Sequence, residues 1–447
     1  MGKLFGTDGV RGIANLELTP ELAYKLGRAA GSILAKDKKG TALIARDTRL
    51  SGDLLESSLI AGLMSVGIDV ELAGVMPTPA CAYLTKNFGY LVGVVISASH
   101  NPYEYNGIKF FTNDGYKLPD KTEEQIENHI FSDTRVYKKV VKDQVGRIVK
   151  NDKTKHRYAE YLKTLVDQRL DGLKIALDTG NGALSDIAED LLKSLGAEVV
   201  IINNKPDGKN INDSCGSTNP ELIAKLVKET SADIGMSFDG DADRIIAVDE
   251  KGRIIDGDHI LAICATYLKK ENKLPGNTVV GTIMSNIGLE RYLKTIGVDL
   301  VHTKVGDRYV LEEMIDKGYI IGGEQSGHII FLDSNTTGDG LATGLHLLEI
   351  MKKSNKKLSE LNDLMTTYPQ VLVNANVRTD LKNRYMEFDD IKEKIKEIED
   401  KFKGEGRVVI RPSGTESKIR VMIEGEDIDL LNKYANELAE FIEDKLN

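Results

Sequence analysis

The sequence is short of several things that common functions need. It has three cysteines in 447 residues, Cys81, Cys215 and Cys264. They are odd in number and far apart, which fits neither a disulfide framework nor a zinc pattern and points to a reducing compartment. No apolar run approaches the ~18 residues of a membrane span. The start, Met1-Gly2-Lys3-Leu4-Phe5, has no hydrophobic leader core. It opens like a myristoylation signal, but Gly6 stands where Ser or Thr is required. Positive charge is also scarce. Lys and Arg number 59 against 69 Asp and Glu, a net charge of −10. A nucleic-acid binder needs a cationic surface instead. These absences give a cytoplasmic protein with neither membrane nor nucleic-acid partners. An anionic ligand would have to be held in local cationic pockets, against the field of the whole chain.

What is present is repetition. Segments 41–70, 173–202 and 278–305 each read as apolar strand, turn, helix, glycine and second strand. The helix stops are Ser65-Val66-Gly67-Ile68-Asp69-Val70, Ser194-Leu195-Gly196-Ala197-Glu198-Val199 and Thr295-Ile296-Gly297-Val298-Asp299-Leu300. Glycine supplies the left-handed residue that ends a helix. A strand returning after one helix makes a βαβ unit. Any α/β protein contains such units, but the shared six-residue stop points to a threefold repeat of domains. The last 80 residues differ, with an alternating strand at 371–377, a helix with Ile391, Ile395 and Ile398, two strands and a final helix. The expected fold is α/β, with three similar mixed domains at 1–153, 154–252 and 253–367 and a smaller α+β domain at 368–447.

Four polar, glycine-bearing stretches stand at strand ends. The first is Ser97-Ala98-Ser99-His100-Asn101-Pro102, after the near-continuous apolar run 92–96. Such a run implies a strand buried on both faces, and ligands of α/β domains gather where such strands end. The plain alternative is a polar turn. The Gly-x-Ser-x-Gly of a triad hydrolase is missing here. The second is Asp239-Gly240-Asp241-Ala242-Asp243-Arg244. Three carboxylates at i, i+2 and i+4 repel one another unless a cation collects them, and hard oxygen ligands favour Mg²⁺, Ca²⁺ or Mn²⁺. A calcium EF-hand would need Gly where Arg244 stands and a helix where 245–248 reads as a strand. The third is Gly322-Gly323-Glu324-Gln325-Ser326-Gly327-His328, suited to sugar hydroxyls, with His328 a proton carrier near neutral pH. A tight turn with a surface glutamate is the alternative. The fourth is Arg411-Pro412-Ser413-Gly414-Thr415-Glu416-Ser417-Lys418-Ile419-Arg420, an anion nest without Walker spacing. Arg11, and Arg49 in Arg46-Asp47-Thr48-Arg49-Leu50-Ser51-Gly52, are further cations for a phosphate.

Together these offer a serine, a metal loop, a hydroxyl reader and a phosphate nest. A small phosphorylated sugar would touch all four. Serine beside a divalent cation, with no triad, fits phosphoryl transfer through a phosphoserine. A Mg²⁺-dependent sugar phosphatase would have only one phosphate to hold, and a non-catalytic sensor would not need Ser99.

In the order and spacing of these strings, together with Gly6-Thr7-Asp8-Gly9-Val10-Arg11-Gly12 and Tyr105-Asn106-Gly107-Ile108-Lys109, the chain resembles the α-D-phosphohexomutase superfamily over nearly its whole length. Gln325, Val305-Gly306-Asp307-Arg308-Tyr309-Val310 and Thr336-Thr337-Gly338-Asp339-Gly340 resemble its glucosamine branch more than its mannose/glucose branch. Ala242, where that branch often has Gly, and Ser417, where Pro is common, depart from the pattern. The resemblance implies four domains around a central cleft. It implies interconversion of glucosamine 6-phosphate and glucosamine 1-phosphate through a phosphoserine at Ser99 and a 1,6-bisphosphate. One Mg²⁺ would be held by the Ser99 phosphate, Asp239, Asp241 and Asp243, with hexose 1,6-bisphosphate as activator. Arg11, His100, Lys109 and His328 would carry protons or stabilise charge. Lys109 would be a base only if neighbouring cations lowered its pKa. Arg244, Arg308, Glu324, Ser326, Arg411, Ser413, Gly414, Thr415 and Arg420 would bind substrate. A homodimer is left open.

Overall fold

Val92–Ile96 is buried at all five positions, and so is Ile234–Phe238. Each is an interior strand, and each shows the arrangement that organises most of the chain. In the computed structural model, which describes residues 4–6, 8–35, 39–132, 140–402, 404–413 and 416–447, three sheets share one topology.

In the first, Thr41–Arg46 lies parallel between Asp69–Val75 and Val92–Ile96, and Tyr105–Thr112 adds antiparallel to Val92–Ile96. In the second, Lys174–Asp178 lies parallel between Glu198–Ile202 and Ile234–Phe238, and Ile245–Asp249 adds antiparallel to Ile234–Phe238. In the third, Thr278–Thr282 lies parallel between Asp299–Thr303 and Ile321–Gly323, and Ile329–Phe331 adds antiparallel to Ile321–Gly323. The first sheet is extended at its edges by Gly9–Ile13, Phe5–Gly6 and Ile148–Val149.

The helices Gly52–Met64, Ala188–Ser194 and Ile287–Thr295 connect the first two strands of each unit. The glycines that follow them have φ of +87°, +103° and +66° at Gly67, Gly196 and Gly297. A side chain is strained there, which is why the same residue recurs three times.

The last unit is a three-stranded antiparallel sheet, ordered Gln370–Asn376, Lys418–Glu424, Arg407–Pro412, with the helices Asp389–Lys401 and Ile428–Leu446. One apolar cluster runs from Leu43 and Val95 through Leu177 and Met236 to Leu293 and Met365. The last unit has its own core around Ile391, Val421, Leu431 and Ile442. It meets the third unit through polar groups. The buried Glu424 accepts from the Ile287 N–H at 2.9 Å, and Arg407 donates to the Ser285 carbonyl at 2.6 Å. Among the described residues no helix is long and apolar enough to cross a membrane.

Candidate active site

The topology gives the polar loops their meaning. In each repeated unit the third parallel strand leads through a short loop into the antiparallel fourth. That loop holds Ser99 in the first unit, Asp239, Asp241 and Asp243 in the second, and Glu324 and His328 in the third. Three of the four stretches are one structural position, used three times with different chemistry. The 411–420 stretch runs from the end of one antiparallel strand into the start of the next, with Arg411 and Pro412 in the first and Lys418, Ile419 and Arg420 in the second.

Two of these loops meet. Ser99 Oγ donates to Asp239 Oδ2 at 2.6 Å, and both residues are buried. Asp239, Asp241 and Asp243 bring carboxylate oxygens within 4.8 Å of one another. Ser99 and Ala242 both adopt left-handed backbone, φ +53° and +57°. Each costs roughly 1–2 kcal/mol for a residue with a Cβ. At Ala242 that strain accounts for the glycine that the resemblance leads one to expect there.

Burial and mutual repulsion from Asp243 and Asp241 push the Asp239 carboxyl well above the usual range, although Arg244 and the Ser99 hydroxyl oppose this. Asp243 goes the other way. Burial would raise it, but Lys109 and His328 outweigh burial and hold it low. Lys109 is buried, with its ammonium 2.9 Å from Asp241, 2.9 Å from Asp8 and 3.6 Å from Asp243. Burial alone would lower its pKa, but these carboxylates raise it above that of a free lysine. Among these carboxylates Lys109 stands as an ammonium, the state in which it stabilises charge.

His100 Nδ1 lies 3.3 Å from Ser99 Oγ. Burial, then Arg244 and Arg11, pull its pKa down to about 4. It is a neutral imidazole at pH 7, able to exchange a proton with the serine. His328 sits 3.6 Å from Asp243 and 3.5 Å from Asp307. Burial disfavours its second proton, but the two carboxylates outweigh burial and raise its pKa. The Gly338 N–H donates to Nε2 at 3.1 Å, which puts the first proton on Nδ1, facing Asp243. Arg11 pairs with Asp8, and Arg244 Nε lies 3.7 Å from Asp243.

Other expected residues fall elsewhere. Arg308 pairs with Asp120, reaches Glu123 at 3.2 Å and donates to the Leu118 carbonyl at 2.8 Å, tying the third unit to the first. Glu324 accepts from the Gly306 N–H at 3.0 Å, and Ser326 is exposed beside it. Gln325 donates to Asp256 at 3.1 Å. Arg411 and Arg420 stand directly opposite each other across the antiparallel pair. Like charges in that register repel, and Nε of both is buried with no partner. Burial and Arg420 lower the Arg411 pKa. Ser413 Oγ accepts from the Glu416 N–H at 3.2 Å, and Lys382 donates to the Ser413 and Glu416 carbonyls at 2.8 and 3.0 Å. Gly414 and Thr415 lie outside the described residues. Among the described residues this second cluster shares no hydrogen bond or ion pair with the first.

Arg49 is a correction. It is fully buried, bound to Asp47 at 2.8 Å and donating to the carbonyls of Ser99, Pro102 and Tyr105. Its donors are taken up by the Asp47 carboxylate and three backbone carbonyls, so it is no phosphate cation. Sequence reasoning missed Lys117, which bridges Asp8 and Asp307, and Thr78, which donates to Asp241 at 2.6 Å. Nothing in the strings around either residue marks it.

The donor set suits a hard divalent cation. All three ligands are carboxylates, and Oδ1 of Asp241 and of Asp243 is buried without a hydrogen-bond partner. Asp241 Oδ1 is open, and Asp243 Oδ1 has only the longer approaches of His328 and Arg244; such oxygens among repelling carboxylates fit Mg²⁺.

With this geometry in view, models of the phosphoglucomutase/phosphomannomutase family match the chain in four consecutive pieces. These are alpha/beta/alpha domain I over residues 2–137, domain II over 156–252, domain III over 256–368 and the C-terminal domain over 372–441. The chain belongs to this family. It is similar to the phosphoglucosamine mutase of Alkaliphilus oremlandii, 59% identical with 100% of both chains covered. Among solved structures it resembles a phosphoglucomutase/phosphomannomutase family protein from Burkholderia thailandensis, at TM-score 0.81 and 26% identity over 99% of this chain and 98% of that one. It also shares the fold of the Aspergillus fumigatus N-acetylphosphoglucosamine mutase, solved with GlcNAc-6P and magnesium, at TM-score 0.72 and 18% identity over 100% and 96% of the two chains.

The repulsion at Asp239 has a measurable sign. A carboxyl whose folded-state pKa is raised binds its proton more tightly in the native state, so its ionised form destabilises the fold at pH above the unfolded value. Asp239→Asn is therefore expected to hold or raise the melting temperature in chelator at pH 7.5. Saturating MgCl₂ at a hundredfold over Kd should stabilise wild type by about 2.7 kcal/mol, and the variant by much less. An equal Mg²⁺ response in the variant would contradict the assignment.

Proposed function

We propose that the protein interconverts glucosamine 6-phosphate and glucosamine 1-phosphate, with Ser99 as the phosphoryl carrier. The observation that carries this reading is the 2.6 Å contact of Ser99 Oγ with a three-carboxylate cluster. A nucleophilic serine for acyl transfer would need an adjacent general base oriented by a third group. His100 lies beside this serine, but among the described residues no third group orients it, and the serine's shorter contact is with a carboxylate in a set that suits Mg²⁺.

The free sugar hydroxyl attacks phosphorus on phospho-Ser99, a new P–O bond forms to the sugar, and the P–Oγ bond breaks. The hydroxyl proton passes to a neighbouring base, and Ser99 Oγ regains a proton. His100, neutral and 3.3 Å from Oγ, is placed to take the hydroxyl proton and then pass it to the departing Oγ, so the proton lost by the sugar ends on the serine. Lys109, held protonated among carboxylates, supplies charge to the phosphoryl oxygens and takes no proton. Asp239, Asp241 and Asp243, with the Ser99 phosphate, would hold Mg²⁺, which when bound neutralises charge on the transferring group.

The product of this half-reaction is a hexosamine 1,6-bisphosphate. The second half reverses the step at the other end of the sugar and restores phospho-Ser99. That demands a place for a second phosphate, and the opposed Arg411 and Arg420, with open Nε groups, support that role for the 411–420 loop. A hydrolase would need no such second nest. Glu324 and Ser326 are assigned to the sugar hydroxyls. Hexose 1,6-bisphosphate is the activator that loads Ser99.

The reading is tested by assaying glucosamine 6-phosphate, mannose 1-phosphate and glucose 1-phosphate side by side in the presence of Mg²⁺. We expect kcat/KM to favour the glucosamine substrate, and Ser99→Ala to lower kcat by more than about a thousandfold. Preference for mannose 1-phosphate would move the protein to the other branch of the family. Release of inorganic phosphate as the main product would make it a phosphatase.

A further inference from the structure

A serine in left-handed backbone needs something to keep it there. The Ser99 carbonyl oxygen is gripped from two sides. Arg49 Nη2 donates to it at 2.9 Å, and Asn212 Nδ2 donates to it at 2.9 Å. The two donors come from different units. Arg49 follows the strand Thr41–Arg46 of the first sheet, and Asn212 lies beyond Glu198–Ile202 of the second. Each is itself fixed. Arg49 is fully buried, is paired with Asp47 and spans the turn through the Pro102 and Tyr105 carbonyls. Asn212 has φ +57°, its N–H donates to the Gly180 carbonyl at 2.9 Å, and its carboxamide also reaches the Asn101 carbonyl at 3.3 Å. On the other side of the residue, the Ser99 N–H donates to Ser97 Oγ at 3.0 Å, and Ser97 donates to Asp47 at 2.6 Å. A Cβ added at Gly240 would lie 2.7 Å from the same Ser99 carbonyl oxygen. The carbonyl therefore also rests against the backbone of the metal loop.

The orientation of that carbonyl and the direction of Oγ are not independent. Both hang on the Ser99 backbone dihedrals, and relaxation to the extended region would turn the peptide plane away from its donors and carry Oγ off Asp239. We propose that Asn212 and Arg49 are positioning residues for phosphoryl transfer: by holding the Ser99 carbonyl from two domains they keep the left-handed turn that aims Oγ at the carboxylate cluster. Only the competent conformer reacts, so turnover scales with its population. Reach to the reacting atoms is set by geometry that ångström-scale misplacement degrades. Substrate affinity is set elsewhere, in the sugar and phosphate loops. This inference rests on the reading of Ser99 as the phosphoryl carrier.

The test uses the full chain with Mg²⁺. Asn212→Gly keeps a positive φ without strain and removes the donor. Asn212→Asp keeps the size and offers no donor. We expect both to lower kcat about ten- to a hundredfold while KM for the sugar phosphate stays within about twofold and the melting temperature stays near wild type. Arg49→Lys should recover part of the kcat lost in Arg49→Met, because a lysine donor can still reach a carbonyl. A wild-type kcat in Asn212→Gly, a loss carried by KM alone, or unfolding of both Asn212 variants would overturn the proposal. Ser99→Ala separates the two claims. If it still turns over, the phosphoserine reading fails. If it is inactive while Asn212→Gly runs at the wild-type rate, only the positioning role fails.

Discussion

Three carboxylates buried within 4.8 Å of one another repel, and much of the surrounding architecture is positive charge arranged against that repulsion. The opposing groups come from three units. Lys109 is supplied by the first sheet, Arg244 by the loop itself and His328 by the corresponding loop of the third unit. Asp8 and Asp307 then hold Lys109, Lys117 and His328 in turn. None of these charges is worth much alone at a surface, where exposed pairs contribute little. Buried, each is costly without its partner. The cluster therefore adds to the shared apolar core in setting how the first three units meet, and it does so where a divalent cation and a phosphoryl group have a use for the same charges.

The repeat explains how such a site arises from simple parts. A parallel strand that reverses into an antiparallel neighbour makes a short loop at the strand's C-terminal end. The chain builds that loop three times and gives one copy a hydroxyl, one a carboxylate set and one a sugar-reading pair. The fourth unit uses a hairpin of another fold and contributes opposed arginines. Its core is separate, and its seam with the third unit is polar, through Glu424, Arg407 and Asn286. Such a seam admits movement more readily than a shared apolar core.

The strings at the strand ends were legible because they break the surrounding pattern. Ser97-Ala98-Ser99 after a five-residue apolar strand, and Asp239-Gly240-Asp241-Ala242-Asp243, are polar exactly where the core ends, and each falls within the Ser99 cluster. The helix-stop glycines carried the repeat, because only a left-handed position needs them. Destinations of long side chains were not legible. Arg49 sits in a glycine-flanked polar run that reads as a surface cation, yet its guanidinium turns inward to three carbonyls. Arg308 reads as a substrate contact and reaches Asp120 and Glu123 of another unit. Asn212 and Thr78 lie in stretches with no motif at all. They matter only because the second unit folds against the first, which no local pattern encodes.

The central claim is that Ser99 itself carries the phosphoryl group. The most direct measurement is to incubate the enzyme with Mg²⁺ and a hexose 1,6-bisphosphate labelled in its phosphates, then map the label by peptide mass. The account predicts an added mass of about 80 Da on the peptide containing Ser99, with the label, but not the phosphoryl group, replaced as unlabelled glucosamine 6-phosphate turns over. Label on an aspartate or histidine instead, or on no residue while the enzyme turns over, would contradict it.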